Sequence, residues 1–128
     1  MKRIVGKKAV KKYYDEYYLS DHREYFSDER SDIEVDFLIK NLGYFPQSIC
    51  DVACGDGRHL LAFQRKKVKN GYGFDNSREL VKSAKNSLSN KSLYVVERES
   101  FDSWDPIGDQ YDITYSLFSS VYYCLTDK

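Results

Sequence analysis

The chain has 128 residues, one modest domain's worth, and its 41% hydrophobic and 16% aromatic residues suffice for a core, which excludes disorder by composition. A formal net charge of zero argues against a dedicated nucleic-acid binder, although six of the first twelve residues are Lys or Arg. No run of about 18 apolar residues occurs and the basic start leads into no signal-peptide core, so the expected setting is cytoplasmic, with no membrane partner.

Tyr13, Tyr14, Tyr17 and Tyr18 recur at helical spacing and predict a short helix over Val10 to Leu19. His22 follows in a polar stretch and reads as a surface histidine. Ser31 and Glu34 form a capping-box pattern ahead of Val35, Leu38, Ile39 and Leu42, which share one helical stripe. Gly43 is the expected stop, and Pro46 prevents continuation.

The run Ile49 to Ala53 predicts a buried strand, Cys54-Gly55-Asp56-Gly57 a tight turn, and Arg58 onward a helix bearing Leu60, Leu61 and Phe63. Glycines at Gly55 and Gly57 let backbone lie against a ligand, and the helix aims its first N–H groups at the same place. Asp51 falls near the carboxyl end of the strand, where open α/β sheets hold ligands. A dinucleotide fingerprint is absent: counted from Gly55 the third glycine position is Leu60, and from Ala53 it is Arg58. A phosphate loop would need Gly-Lys-Ser/Thr, also absent, and Asp51 and Asp56 would repel phosphate while suiting a cation. Cys50, Cys54 and Cys124 have no metal-ligand spacing, so neither a metal nor a disulfide is expected.

The basic run Arg65-Lys66-Lys67 suits a solvated helix C-terminus. Gly71 to Phe74 reads as a second strand ending in Asp75, with Asn76 or Ser77 capping a helix whose apolar face is Leu80, Val81, Ala84 and Leu88. A carboxylate about 20 residues after a glycine turn is placed to accept ribose hydroxyls. Leu93 to Val96 is a third strand, Trp104 covers the core edge, and Tyr111 to Leu117 is a fourth strand. Strands alternating with helical crossovers predict an α/β fold with a parallel, doubly wound sheet.

The stretch DVACGDG resembles motif I of the class I S-adenosylmethionine-dependent methyltransferases, whose cofactor carries a sulfonium and an ammonium and no phosphate. GFDNSRELVKSAKNS resembles their motif II region, YDITYSLFSSVYYC their motif IV, and YYDEYYLSDHREYF the N-terminal segment of small-molecule N-methyltransferases. The resemblance implies a Rossmann-like sheet in strand order 3-2-1-4, truncated after the fourth strand. Residues 1–45 would form a helical cap or lid, and 46–128 a cofactor-binding portion incomplete at its C-terminus. It implies that Asp51 and the turn (Ala53, Cys54, Gly55, Gly57) hold the methionine end of the cofactor and that Asp75, with Asn76, holds the ribose. Glu99, standing where the family usually has Asp, and Ser100 would meet the adenine edge. Ser116 and Phe118 to Ser120 would border the methyl group, and Tyr14 would lead the lid.

The expected function is methyl transfer to N or O of a small-molecule acceptor by the full-length protein, the isolated chain being inactive. No general base is singled out, and RNA and protein acceptors stay open. The alternative is a non-catalytic truncated module that binds cofactor weakly or acts through its exposed sheet edge. Self-association, or a completing chain, is expected at the fourth strand, whose Ile113, Tyr115 and Leu117 share a face.

Overall fold

The computed structural model describes residues 27–100, 102–104 and 110–117, together with Lys8, Lys12 and Glu16. Of the expected helix over Val10 to Leu19, Lys12 and Glu16 are helical and form an i,i+4 ion pair at 3.9 Å. Tyr14, His22, Phe118 to Ser120 and Cys124 lie outside the described residues.

Helix α1 spans Asp28–Leu42 and ends at Gly43, whose φ of 77° is the left-handed conformation that glycine adopts freely. Its start corrects the expected capping box. Ser27, not Ser31, is the N-cap, its hydroxyl accepting the Arg30 N–H at 3.1 Å, with Asp28 and Glu29 in the first turn. Ser31 and Glu34 are therefore one and two turns inside the helix, where each has a partner in its own helix (the Ser27 carbonyl and Arg30) and also reaches the neighbouring one.

Four strands, β1 (Ser48–Val52), β2 (Asn70–Asp75), β3 (Tyr94–Arg98) and β4 (Ile113–Tyr115), form a parallel sheet in the order β3-β2-β1-β4. That is the expected order. Helix α2 (Arg58–Arg65) links β1 to β2, and α3 (Arg78–Ser87) links β2 to β3, capped by Ser77 through the Leu80 N–H.

The strand period of two sends alternate residues to opposite faces. On one face Ile49, Tyr94, Val96 and Tyr115 pack with Leu60, Ala62 and Phe63 of α2 and Val81 and Ala84 of α3, and Val35 joins from α1. Glycine in β2 follows from the closeness of that packing. A Cβ on Gly71 would stand 2.5 Å from the Tyr94 ring, and one on Gly73 would stand 2.6 Å from Leu60 Cδ1. On the other face Cys50, Val52 and Phe74 meet Tyr72, Trp104 and Tyr111, with Trp104 centred 4.7 Å from the Phe74 ring. Trp104 thus covers a core edge, as its sequence position suggested.

The basic end of α2 is not simply solvated. Arg65 pairs with Asp32 at 2.7 Å and Lys66 with Asp36 at 2.7 Å, so two of its three cations reach across to α1. Ile113, Tyr115 and Leu117 lean on the main core, so what β4 leaves open among the described strands is its backbone edge. No helix among the described residues is long and apolar enough to cross a membrane.

Candidate functional site: a glycine turn among carboxylates

Three residues between β1 and α2 have positive φ: Ala53 at 58°, Gly55 at 59° and Gly57 at 80°. A left-handed alanine costs about 1 kcal/mol or more, and here backbone bonds hold the turn around it. The Cys54 N–H donates to the Phe74 carbonyl at 2.9 Å and the Gly57 N–H to the Cys54 carbonyl at 3.0 Å. A Cβ on Gly57 would come 2.9 Å from Ala84 Cβ, so this glycine lets α3 close on the turn. At Gly55 nothing lies within 4 Å of where a Cβ would be, so the turn presents open backbone there.

Asp75, at the end of β2, fixes that surface. Its Oδ2 accepts the Gly55 N–H at 2.9 Å and its Oδ1 the Ser77 N–H at 2.9 Å. Its carbonyl accepts the Glu99 N–H at 3.1 Å, so the carboxyl ends of β1, β2 and β3 are tied together. Glu99 Oε1 accepts from the Ser100 N–H at 3.0 Å and from the Ser103 hydroxyl, and these bonds hold its carboxyl below the usual range. Asn76 is exposed, its carbonyl accepting from Arg98 Nε at 3.4 Å, and Ser116 is exposed just beyond β4.

Asp51 is 2% exposed at the end of β1, in register with Tyr115 of β4, whose hydroxyl donates to Asp51 Oδ2 at 3.1 Å. Burial pushes the Asp51 carboxyl up to about 8; Tyr115 and Arg58 oppose this, while the charges of Asp75 and Asp56 add to it. Burial likewise raises Asp56. Burial and the three carboxylates raise the Cys54 thiol well above its ordinary value, leaving it an unreactive packing group. Cys50 and Cys54 are both buried and form no disulfide.

Sequence reasoning missed the layer beneath the turn. The Arg58 side chain is 8% exposed; its Nη1 donates to Ser31 Oγ at 3.0 Å and its Nη2 lies 3.6 Å from Glu34 Oε2. The same Glu34 oxygen is 2.7 Å from His59 Nε2. Burial and the Arg58 charge depress His59, against the pull of Glu34. Burial opposes ionisation of Glu34, but His59 and Arg58 hold it below its ordinary value. A neutral His59 then stands edge-on to Tyr115, with ring centroids 6.4 Å apart. Only strand alternation, which puts Tyr115 on the covered face, could have pointed toward its contact with Asp51.

The structure thus gathers Asp51, Ala53, Cys54, Gly55, Gly57, Asp75 and Asn76 at the carboxyl ends of the two central strands, with Glu99 and Ser100 next to Asp75. A separate groove of about 580 Å³, lined by Tyr72, Val95, Glu97, Trp104 and Tyr111, runs along the open face. It lies mostly away from the turn, sharing only Glu99 with the expected site.

Residues 49–128 match the family model described as methyltransferase domain. The chain is 31% identical over 115 residues to dTDP-3-amino-3,4,6-trideoxy-alpha-D-glucopyranose N,N-dimethyltransferase of Streptomyces venezuelae, covering 90% of this chain and 45% of that protein. The chain therefore spans about half the length of this curated relative. Its fold is similar to that of the sugar N-methyltransferase KedS8 of Streptoalloteichus (TM-score 0.68, 20% identity, 96% of this chain and 46% of that one). It is similar also to the magnesium protoporphyrin IX methyltransferase of Synechocystis solved with bound S-adenosylmethionine (TM-score 0.68, 17% identity, 96% of this chain and 66% of that one). A parallel β3-β2-β1-β4 sheet, an Asp51-to-Gly57 turn and a family match over most of both make the assignment: the chain belongs to the methyltransferase-domain family and has the class I fold.

Proposed function

We propose that the chain is the cofactor-binding part of an S-adenosylmethionine-dependent methyltransferase that acts in the cytoplasm on N or O of a small-molecule acceptor. The observation that carries this reading is the open backbone at Gly55, held against the Asp75 carboxylate with Asp56 next to it in the turn. Such a surface suits a cationic nucleoside ligand and repels a phosphate. Supporting a small acceptor, the Streptomyces relative is named for an amino-sugar nucleotide and KedS8 for a sugar.

When bound, the cofactor supplies an electrophilic methyl on a positively charged sulfur. In this reading the turn and Asp51 hold its amino-acid end. Asp75 holds the ribose: an ionised carboxylate has about four lone-pair sites, and two are occupied by Gly55 and Ser77. Glu99 and the Ser100 N–H serve the adenine edge, Ser116 borders the methyl, and Tyr14 leads into the lid. The contribution to rate is alignment, because attack must come in line at near van der Waals contact. Pairing of the β4 edge with further polypeptide belongs to the same reading, since an open edge is prone to pairing.

Calorimetric titration with S-adenosylhomocysteine and, separately, with NAD tests the proposal. Binding of S-adenosylhomocysteine with NAD ignored is the expected result. Tighter binding of NAD overturns it.

A further inference from the structure

Asp51 is sealed from solvent and its hydrogen-bonding partner across the sheet is a neutral hydroxyl. The groups around it are an unbalanced set. From the end of β2 comes Asp75, from the turn Cys54 and Asp56, from β4 Tyr115, and from α2 Arg58 and His59. The cation close by among the described residues, Arg58, also faces Ser31 and Glu34 of α1. Among the described residues, three carboxylates, one of them sealed from solvent, therefore act on one another beside a guanidinium that is also engaged elsewhere. Coulomb's law disfavours full ionisation of such a set until another positive charge enters it.

Taking the turn as the seat of a sulfonium cofactor, as proposed above, we infer that Tyr115 is a positioning residue for Asp51 and that this pair releases a proton when the cofactor binds. The Asp51 O–H bond breaks, its electrons stay on the carboxylate, and the proton passes to the buffer. Nothing is oxidised or reduced. Tyr115 suits the exchange because a phenol can accept from the protonated acid and donate to the carboxylate. Its place in register with Asp51 keeps the hydroxyl at 3.1 Å without help from a mobile loop.

The sign follows from linkage. Burial holds the Asp51 carboxyl up at about 8, so it carries a proton at neutral pH. A ligand cation favours the ionised form. Binding below that value therefore releases a proton, and affinity rises with pH by up to about tenfold per unit.

Calorimetry of S-adenosylmethionine binding at about pH 6.5, in two buffers of different ionisation enthalpy, counts that proton; the ligand's own amino group, near 8, stays charged there. The expected count approaches one in the unaltered protein and zero in Asp51→Asn. In Tyr115→Phe the ionised carboxylate loses a donor, so the upper break in the pH–affinity profile moves to higher pH; mere loosening of the fold would leave that break in place. Binding with no proton released, or a Tyr115→Phe profile that overlays the original, overturns the inference alone. Failure to bind at every pH overturns the cofactor reading with it.

Discussion

The two faces of the one sheet are built to different standards. Beneath α2 and α3, the face carrying Ile49, Tyr94, Val96 and Tyr115 is closed, and glycines at Gly71 and Gly73 admit α2 and Tyr94 to distances a Cβ would forbid. The face carrying Cys50, Val52 and Phe74 is met by Tyr72, Trp104 and Tyr111, and a groove runs beside them. Asp51 shows what the difference does. Its neighbours Cys50 and Val52 point to the open face, while Asp51 itself turns toward Tyr115 on the closed one. Burial there gives a carboxyl its altered proton affinity. The closed face is thus where the chain can tune charge, while the other face, whose Cys50 and Phe74 are also buried, is bordered by the groove.

The comparison is sharpened most by cutting into each core. Phe63 is fully buried on the closed face, so Phe63→Ala should cost about 3–5 kcal/mol of stability. Trp104 is a larger ring, but it is partly exposed over Phe74, so Trp104→Ala should cost less than half as much, about 1–2 kcal/mol. Urea denaturation followed by circular dichroism measures both. Equal losses would mean that the open face is as tightly built as the other.

Much of this arrangement was legible because it is written locally. An apolar strand, two glycines and a helical stripe from Ile49 to Phe63 need no distant residue to be recognised, and Asp75 follows from its spacing. What escaped depends on register and on helix phase. Ser31 and Glu34 fit a capping box, but Ser27 holds the cap, one turn earlier, and a local pattern could not choose between two serines four residues apart. Besides partners in their own helix, Ser31 and Glu34 meet Arg58 and His59 of another. Tyr115 meets Asp51 across 64 residues of sequence, through a strand pairing that only the folded sheet defines.

A second test asks whether the site belongs to the closed side of the strands' carboxyl ends alone. Under the proposed function, Asp75→Ala removes a charge-assisted contact worth roughly 1.5–3 kcal/mol and should raise the Kd for S-adenosylhomocysteine about 10- to 100-fold. Glu97 lies in register with Phe74, one step back along the same strand pair, and its carboxylate turns to the Tyr72 hydroxyl on the open face. Glu97→Ala should leave Kd within about twofold, since exposed contacts are worth little. Unchanged Kd in Asp75→Ala, with native circular dichroism, would reduce Asp75 to a brace for Gly55 and a start for α3.

The smallest expected effect comes from Tyr72→Phe. Its hydroxyl donates to Glu97 Oε2 at 2.8 Å, and its ring stacks on Tyr111 with centroids 6.1 Å apart. Phenylalanine keeps the stack and loses only a partly solvated hydrogen bond, a net loss of about 0.5–1.5 kcal/mol at most. Burial first, then the Glu97 bond and charge, push the Tyr72 phenol well above its ordinary range, so it stays protonated at any working pH. The substitution should therefore lower stability slightly and by the same amount across neutral pH. The contrast with Tyr115→Phe is the point. Both changes delete one tyrosine hydroxyl facing one carboxylate, and the acid that Tyr115 faces is one whose titration burial has moved to about 8. Denaturation and cofactor titration at several pH values, run on the two variants side by side, measure that contrast. A pH-dependent change in Tyr72→Phe equal to that in Tyr115→Phe would break it.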